Sequence, residues 1–325
     1  MQPCLSRSRV GLFVCLISLI ASPNVSAQIP DGFDLDPRKF DMLVVVAHPD
    51  DEGTFGGLLP YYAVCRDKKI KVMVLTSGEW GNGMPHHRSA QEKPGYSYDD
   101  SDHPRFAEVS PDALYPCYFR EVEMSRVLIA SGVRYAPLMP RFRDQSNLQP
   151  WGSPDPAFEF WGGRNKVVHA VAEAIRKTQP EIIVTMAKDG FNGNPQHMAA
   201  SAAALAAIDV ASSESAEVKG NPWTVKKAYT VVTSLEDSVE GAAPGASLTQ
   251  GREDELHVHR WDLSCERLPV TAQIRAARAN ALHRSQKMPS ACAEESKFIL
   301  QHTTVGRDVR RRNDLFENII PENKR

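Results

Sequence analysis

Three short runs of almost unbroken apolar residues constrain this chain most: Asp41–Ala47 (DMLVVVA), Ile70–Thr76 (IKVMVLT) and Glu181–Ala187 (EIIVTMA). A strand with one wet face alternates apolar and polar side chains. These runs do not, so they read as strands buried on both faces. Between the first two, Gly53–Lys69 reads as a helix, with Gly56 and Gly57 permitting close packing near its start. Strand, helix and strand at this spacing form a βαβ unit, which requires a parallel sheet. Further helices are predicted over Tyr118–Ser131, Arg164–Thr178, His197–Ala211 and Ile274–Gln286. The third of the apolar runs follows the most regular of these, which carries Val167, Val168, Val171 and Ile175 at helical spacing. Tyr135–Met139 and Ala228–Ser234 read as further short strands. The expected fold is α/β and Rossmann-like: a mostly parallel sheet flanked by helices, in a single domain over 28–306.

Three stretches do not fit the periodic pattern. Residues 77–116 are polar and rich in Gly, Pro, Ser, Asp and Tyr, and structureless loops beyond about 15 residues are usually functional or disordered. This stretch is read as a long loop insertion over the site. Its His86, His87 and His103 are read as solvated. Leu235–Gly251 reads as loop, and 307–325 as a charged tail.

Residues 1–27 have the order of a secretory signal. Arg7 and Arg9 precede an apolar run from Val10 to Ala21, then Pro23 and Asn24, then Val25-Ser26-Ala27 before Gln28. Such a run is too short to span a bilayer, which takes about 20 apolar residues. The expectation is cleavage after Ala27, export to the periplasm or beyond, and no stable membrane insertion afterwards. Cys65, Cys117, Cys265 and Cys292 then remain, and four cysteines in an oxidising compartment allow three pairings. None has Cys-x-x-Cys spacing, which argues against a cysteine zinc site. The formal charge of −2 argues against nucleic acid as a partner. Oligomeric state is not legible.

Chemistry concentrates at two of the strand ends. His48-Pro49-Asp50-Asp51-Glu52 directly follows the first run. In open α/β sheets ligands bind beyond the carboxyl ends of strands. Several ionisable groups on one tight turn there are costly unless paired or bound to metal. His48 and Asp51, three apart, can converge on one cation while Asp50 points elsewhere; either Asp could instead cap the helix that follows. The second motif, Asp189-Gly190-Phe191-Asn192-Gly193-Asn194-Pro195-Gln196-His197, follows the third run and delivers His197 to the same sheet edge. Two His and one Asp leave a fourth position for water, the pattern of a catalytic zinc site. Asp50 is then free to act as general base.

These residues resemble the LmbE/PIG-L family of zinc-dependent N-acetylglucosaminyl deacetylases. The strand–HPDDE start is followed by Leu75-Thr76-Ser77-Gly78-Glu79. Arg120-x-x-Glu123, Phe142-Arg143-Asp144 and His283-Arg284-Ser285-Gln286 resemble further family segments, so the similarity runs from about Asp41 to Gln286. The resemblance implies one zinc per chain held by His48, Asp51 and His197, with Asp50 as the base that activates water. It implies that Arg120, Asp144 and His283 bind substrate, an N-acyl (expected N-acetyl) amino sugar or glycoconjugate. For Arg120 the residues alone equally allow a surface ion pair with Glu123.

One segment departs from the family. Where it usually has His-Pro-Asp-His, this chain has Asn194-Pro195-Gln196-His197. The ligand survives, but the preceding His, thought to stabilise the oxyanion or protonate the amine, is Asn194. An amide can donate to an oxyanion but cannot deliver a proton at neutral pH. Gln196 is read as the neutral partner of Asn194. The departure keeps open an exported zinc- and sugar-binding module with weak or no turnover. A zinc hydrolase of the same fold acting on another amide or ester is a further alternative.

Overall fold

The computed structural model of the chain describes residues 33–80, 114–145, 148–214, 217–232, 256–286, 294–306 and 313–319. The expected signal at 1–27 lies outside them, as do His86, His87 and His103 of the insertion, the 235–251 loop, Cys292 and most of the tail.

Among the described residues, six strands form one sheet: β1 (Met42–Val46), β2 (Ile70–Val74), β3 (Ile182–Thr185), β4 (Lys227–Val232), β5 (Leu256–Arg260) and β6 (Glu295–Thr303), in the order β2-β1-β3-β4-β6-β5. The first four pair in parallel, and β6 runs antiparallel to both β4 and β5. All three apolar runs are therefore strands, and every residue of β1, β2 and β3 is buried. The helices are α1 (Leu114–Ser131), α2 (Asp155–Phe160), α3 (Arg164–Thr178), α4 (Pro195–Ser212) and α5 (Ala272–Asn280). Helix α3 packs on α4, α4 on β1 and β3, and α1 on α5. This is the expected mostly parallel α/β domain.

The helix expected over Gly53–Lys69 is broken. A 3₁₀ turn (Asp51–Phe55) is followed by one α-turn (Leu58–Pro60) and a π-turn (Tyr61–Cys65). The cause is Trp261. A Cβ on Gly57 would lie 2.6 Å from the Trp261 Cβ, and Gly56, at φ 57°, would set one 2.8 Å from the indole nitrogen. The glycines buy that close approach at the expense of helical continuity. Cys65 at the end of this segment is disulfide-bonded to Cys265, one of the pairings the sequence allowed.

The Tyr135–Met139 segment makes isolated parallel bridges rather than a full strand, Tyr135 with Asp34 and Leu138 with Met73, and Phe142 beyond it bridges to Thr76. It shields the outer edge of β2 and carries the chain to Asp144. The helix expected over Ile274–Gln286 ends at Asn280, and a 3₁₀ turn follows at Arg284–Gln286.

Strands β5 and β6 and helix α2 have no counterpart in the sequence reading. In β5 the buried positions are His257 and His259, while Leu256 and Val258 are only half-buried. An apolar-inward reading fails on a strand whose inner face is imidazole. His259 stacks on Trp261 at 5.1 Å between centroids, and its Nε2 has no hydrogen-bond partner among the described residues.

Burial, with a smaller contribution from His257, pushes the His259 pKa down to about 3. The unfolded chain takes up this proton near pH 6.5 and the folded chain does not. The stability that His259 contributes is therefore complete above about pH 6.5 and falls as pH drops toward about 3, at up to about 1.4 kcal/mol per pH unit. Urea unfolding of His259→Phe should show a shallower loss of stability between pH 6.5 and 4 than the native chain. Identical slopes would mean that the imidazole is not held neutral.

Candidate metal-dependent active site

Because β1 neighbours β2 on one side and β3 on the other, the chain turns opposite ways from adjacent strands at the β1/β3 boundary. Ligands of open α/β sheets bind at such a point. His48–Glu52 leave the end of β1 there, and the loop after β3 brings in His197. The two motifs thus meet as expected. His48 Nδ1 lies 3.1 Å from His197 Nε2, Asp51 Oδ2 is 3.4 Å from His48 Nδ1, and Asp51 Oδ1 is 3.3 Å from His197 Nε2. The three ligand atoms all lie within 4.8 Å of one another.

The donor set suits zinc. Two imidazole nitrogens converge beside one carboxylate, and each ring is anchored through its other nitrogen. His197 Nδ1 lies 3.1 Å from the Gly190 carbonyl, to which it donates, leaving Nε2 for a metal. His48 Nε2 faces the side-chain amide of Gln196 at 2.7 Å and Asp144 Oδ1 at 3.4 Å. Such partners fix ring orientation in metal sites. Asp51 Oδ2 accepts from the backbone N–H groups of Ala47 and His48 at 3.1 and 2.7 Å.

The electrostatics follow from this packing. Burial alone would lower the His48 pKa, but Asp144 and Asp51 outweigh it and hold it well above the ordinary value. Burial would raise Asp51, but His197 and His48 bring it well below the usual carboxylate range. For Asp50 burial wins over the opposing Arg120, and its pKa is raised, the direction a general base at neutral pH needs.

Asp50 is held out of the ligand cluster by its backbone, at φ 126° and ψ −19°. A non-glycine residue at positive φ persists only where its surroundings over-determine it, at a cost of about 1–3 kcal/mol. Three contacts do so. Asp50 N donates to Glu52 Oε2 at 3.1 Å, the Gly53 N–H donates to the Asp50 carbonyl at 3.1 Å, and Arg120 Nη2 lies 2.9 Å from Asp50 Oδ2.

The three residues expected to bind substrate lie in the wall of this site. Arg120 is 2% exposed and also donates to the Gly78 and Pro49 carbonyls. It braces Asp50, and it does not pair with Glu123. A Cβ on Gly78, at φ 67°, would lie 2.3 Å from Arg120 Nη1, so that position must be glycine for the guanidinium to enter. Glu123 instead accepts from the N–H and hydroxyl of Ser285, joining two of the late sequence motifs. His283 is fully buried, and its Nε2 pairs with Glu52 Oε1. It supports Asp50 from behind through Glu52. Asp144 is 4% exposed, accepts from Trp80 N at 3.0 Å and faces His48. All three side chains are buried and hydrogen-bonded to other protein groups of the site.

The side chains of Asn194 and Gln196 do not pair with each other. Asn194 is the N-cap of α4, and its Oδ1 accepts from Gln196 N at 2.9 Å and His197 N at 3.4 Å. With Pro195 at the first helical position, Asn-Pro reads as a helix start. Gln196 points the other way, toward His48. Two roles escaped the sequence reading. Glu52 was seen in the motif but given no task, and Gln196 was assigned the wrong neighbour. The capping signal of Asn194-Pro195 was the available clue, since it turns Gln196 away from the loop.

The family model described as "PIG-L: GlcNAc-PI de-N-acetylase" matches residues 43–208, just over half of the chain. Relatives named 1D-myo-inositol 2-acetamido-2-deoxy-alpha-D-glucopyranoside deacetylase are similar in sequence. The Thermobifida fusca protein is 25% identical over 296 residues, 85% of this chain and 96% of its own length. The Rhodococcus erythropolis protein is 28% identical over 206 residues, 62% of this chain and 64% of the relative, so the chain spans just under two thirds of that protein. Among solved structures, the N,N'-diacetylchitobiose deacetylase of Pyrococcus horikoshii aligns over 76% of this chain and 70% of its own, with 15% identity and a TM-score of 0.47.

The cap can be tested apart from catalysis. Asn194→Ala should lower the unfolding free energy by about 0.5–2 kcal/mol, whereas Asn194→Ser should keep most of it. Denaturant midpoints at one pH check this, and equal midpoints for the native chain and the Ala variant would remove Asn194 from its capping role.

Proposed function

This chain belongs to the PIG-L family of GlcNAc-PI de-N-acetylases, and on that premise we propose that it hydrolyses the N-acetyl group of an amino sugar or glycoconjugate with one bound zinc. The observation that carries the reading is the convergence of His48, Asp51 and His197 on one point while the backbone of Asp50 turns its carboxylate aside. Zinc held by those three side chains would lower the pKa of a bound water to about 7.

The chain's own residues supply the rest. Asp50, its pKa raised by burial, takes the proton from the attacking water. The hydroxyl adds to the acyl carbon, the C–N bond breaks, and the proton on Asp50 passes to the departing nitrogen. The acid formed gives up its remaining proton, so that acetate and the protonated amine result. Arg120, Glu52 and His283 keep the Asp50 carboxyl in place through both transfers. Asn194 has its oxygen committed to the helix, and its amide nitrogen is the donor assigned to the oxyanion. With no imidazole at this position, Asp50 serves as both base and acid.

A second reading, a zinc- and sugar-binding module with weak turnover, is favoured by the same replacement. Acetate release from a panel of N-acetyl amino sugars separates the two. The native chain should release acetate, and Asp50→Asn should retain metal and lose about 10²–10⁴-fold in rate. Near-native turnover by Asp50→Asn would reject Asp50 as the base. Sugar binding without acetate from any substrate would favour the module.

Export is part of the proposal. The leader-like order of residues 1–27 supports it, and so does the Cys65–Cys265 disulfide, since such bonds persist in oxidising compartments. Protein recovered from the envelope or medium should begin at Gln28 on N-terminal sequencing. A soluble cytoplasmic chain beginning at Met1 would contradict this.

A further inference from the structure

The loop after β3 does more than deliver His197. Its single helical turn, Gly190–Gly193, holds Phe191 at φ 58°, a left-handed conformation that bulky side chains rarely adopt. Such strain persists only where the surroundings over-determine it, and it gathers at functional sites. The turn is fixed by its backbone. Phe191 N donates to Asp189 Oδ1 at 3.1 Å, Gly193 N donates to the Asp189 carbonyl at 2.8 Å, and the Gly190 carbonyl accepts from His197 Nδ1 at 3.1 Å. A glycine at position 191 would make the same bonds without strain, since none of them uses the side chain. What the strained position retains is the ring. It stands edge to face on His197, with centroids 5.6 Å apart and planes at 84°. Phe191 is half-buried, and its inner part packs on the apolar core.

A second aromatic residue is tied to the same loop. The Gly152 N–H donates to the Gly193 carbonyl at 2.8 Å. The approach is close: a Cβ on Gly193 would lie 3.1 Å from Gly152 N and 3.9 Å from the Trp151 carbonyl carbon. Trp151 is 44% exposed, one of the large apolar side chains left open to solvent. Its indole has no hydrogen bond or ring partner among the described residues. Two aromatic side chains thus flank the loop that carries His197, one on the ligand's ring and one beside the glycine four residues before it.

An N-acyl amino sugar carries its amide nitrogen directly on the ring. With the acyl carbon at the point where His48, Asp51 and His197 converge, the sugar lies next to that point, within reach of the loop that touches His197. The faces of a sugar ring expose C–H groups while its hydroxyls radiate from the rim. A flat aromatic face, electron-rich at its centre, matches that C–H surface, and ligand clefts are lined largely by such side chains. We infer that Phe191 and Trp151 form an aromatic wall that receives one face of the substrate's sugar ring. The inference rests on the proposed function, whose substrate class it deepens. The wall touches the sugar and not the reacting amide, so its contact is the same in the ground state and the transition state. Its loss therefore raises KM and leaves kcat nearly unchanged.

The test measures acetate release from the methyl glycoside of N-acetylglucosamine, with zinc content determined alongside. Phe191→Leu keeps the apolar anchor on the core but has no flat face. Its KM should rise about 3–10-fold with kcat within about twofold of native and zinc content unchanged. Phe191→Tyr keeps the face and should keep the native KM, and Trp151→Ala should raise KM as Phe191→Leu does. A native KM in Phe191→Leu, the same loss in Phe191→Tyr, or a fall in kcat or zinc content in place of the rise in KM would overturn the wall. Should Phe191→Leu fail to fold, Trp151→Ala at its exposed position decides, and a native KM there overturns it. A native chain that releases no acetate from any N-acetyl sugar would count against the proposed function, and calorimetric binding of the same glycoside then tests the wall separately. A dissociation constant raised about 3–10-fold by either substitution supports it, and an unchanged constant or no binding to the native chain overturns it.

Discussion

One carboxylate and two imidazoles meet in a buried crevice at the end of β1, and most of the surrounding structure makes that burial tolerable. Uncompensated charges in such a place would cost far more than the marginal stability of a domain allows. Asp51 is met by two backbone N–H groups and two rings. His48 and His197 each have their remaining nitrogen engaged. Around this cluster lies a ring of buried polar groups, Arg120, Glu52, His283, Asp144 and Gln196. Their contacts run inward to the site. This is the arrangement expected when precise geometry is maintained at the expense of simple packing.

The parallel half of the sheet was legible because its physics is local. A strand buried on both faces must be apolar throughout, and the three such runs are unmistakable. The positions of His48, Asp51 and His197 followed, since chain order and sheet topology together bring those strand ends to one edge. The antiparallel half was not legible. The inner face of β5 carries His257 and His259, and only the aromatic packing of Trp261, Tyr62 and Phe298 around His259 makes sense of that choice. The broken helix after β1 was hidden for a related reason. Gly56 and Gly57 announced close packing, but the partner, Trp261, lies some two hundred residues away in sequence.

The bracing residues show a different limit. Arg120, Asp144 and His283 lie against the site, and what each can touch depends on depth, which a sequence does not give. An arginine near a catalytic carboxylate can face substrate or stand behind the carboxylate, and here the glycine at Gly78 opens the path to the second position. Likewise Asn194-Pro195-Gln196-His197 combines a helix start with a metal ligand, so that one departure from the family's usual residues changes two things. The cap takes the oxygen of Asn194, and the ligand's neighbour becomes an amide able to donate or accept.

The proposed chemistry depends on a metal held by His48, Asp51 and His197. The most direct measurement is elemental analysis of the purified native chain beside His197→Ala, each after dialysis against metal-free buffer. One zinc per native chain, and its loss from a variant that still unfolds cooperatively, is the result this structure predicts. Stoichiometric zinc retained by His197→Ala, or no metal in a native chain even after zinc is supplied, would contradict it.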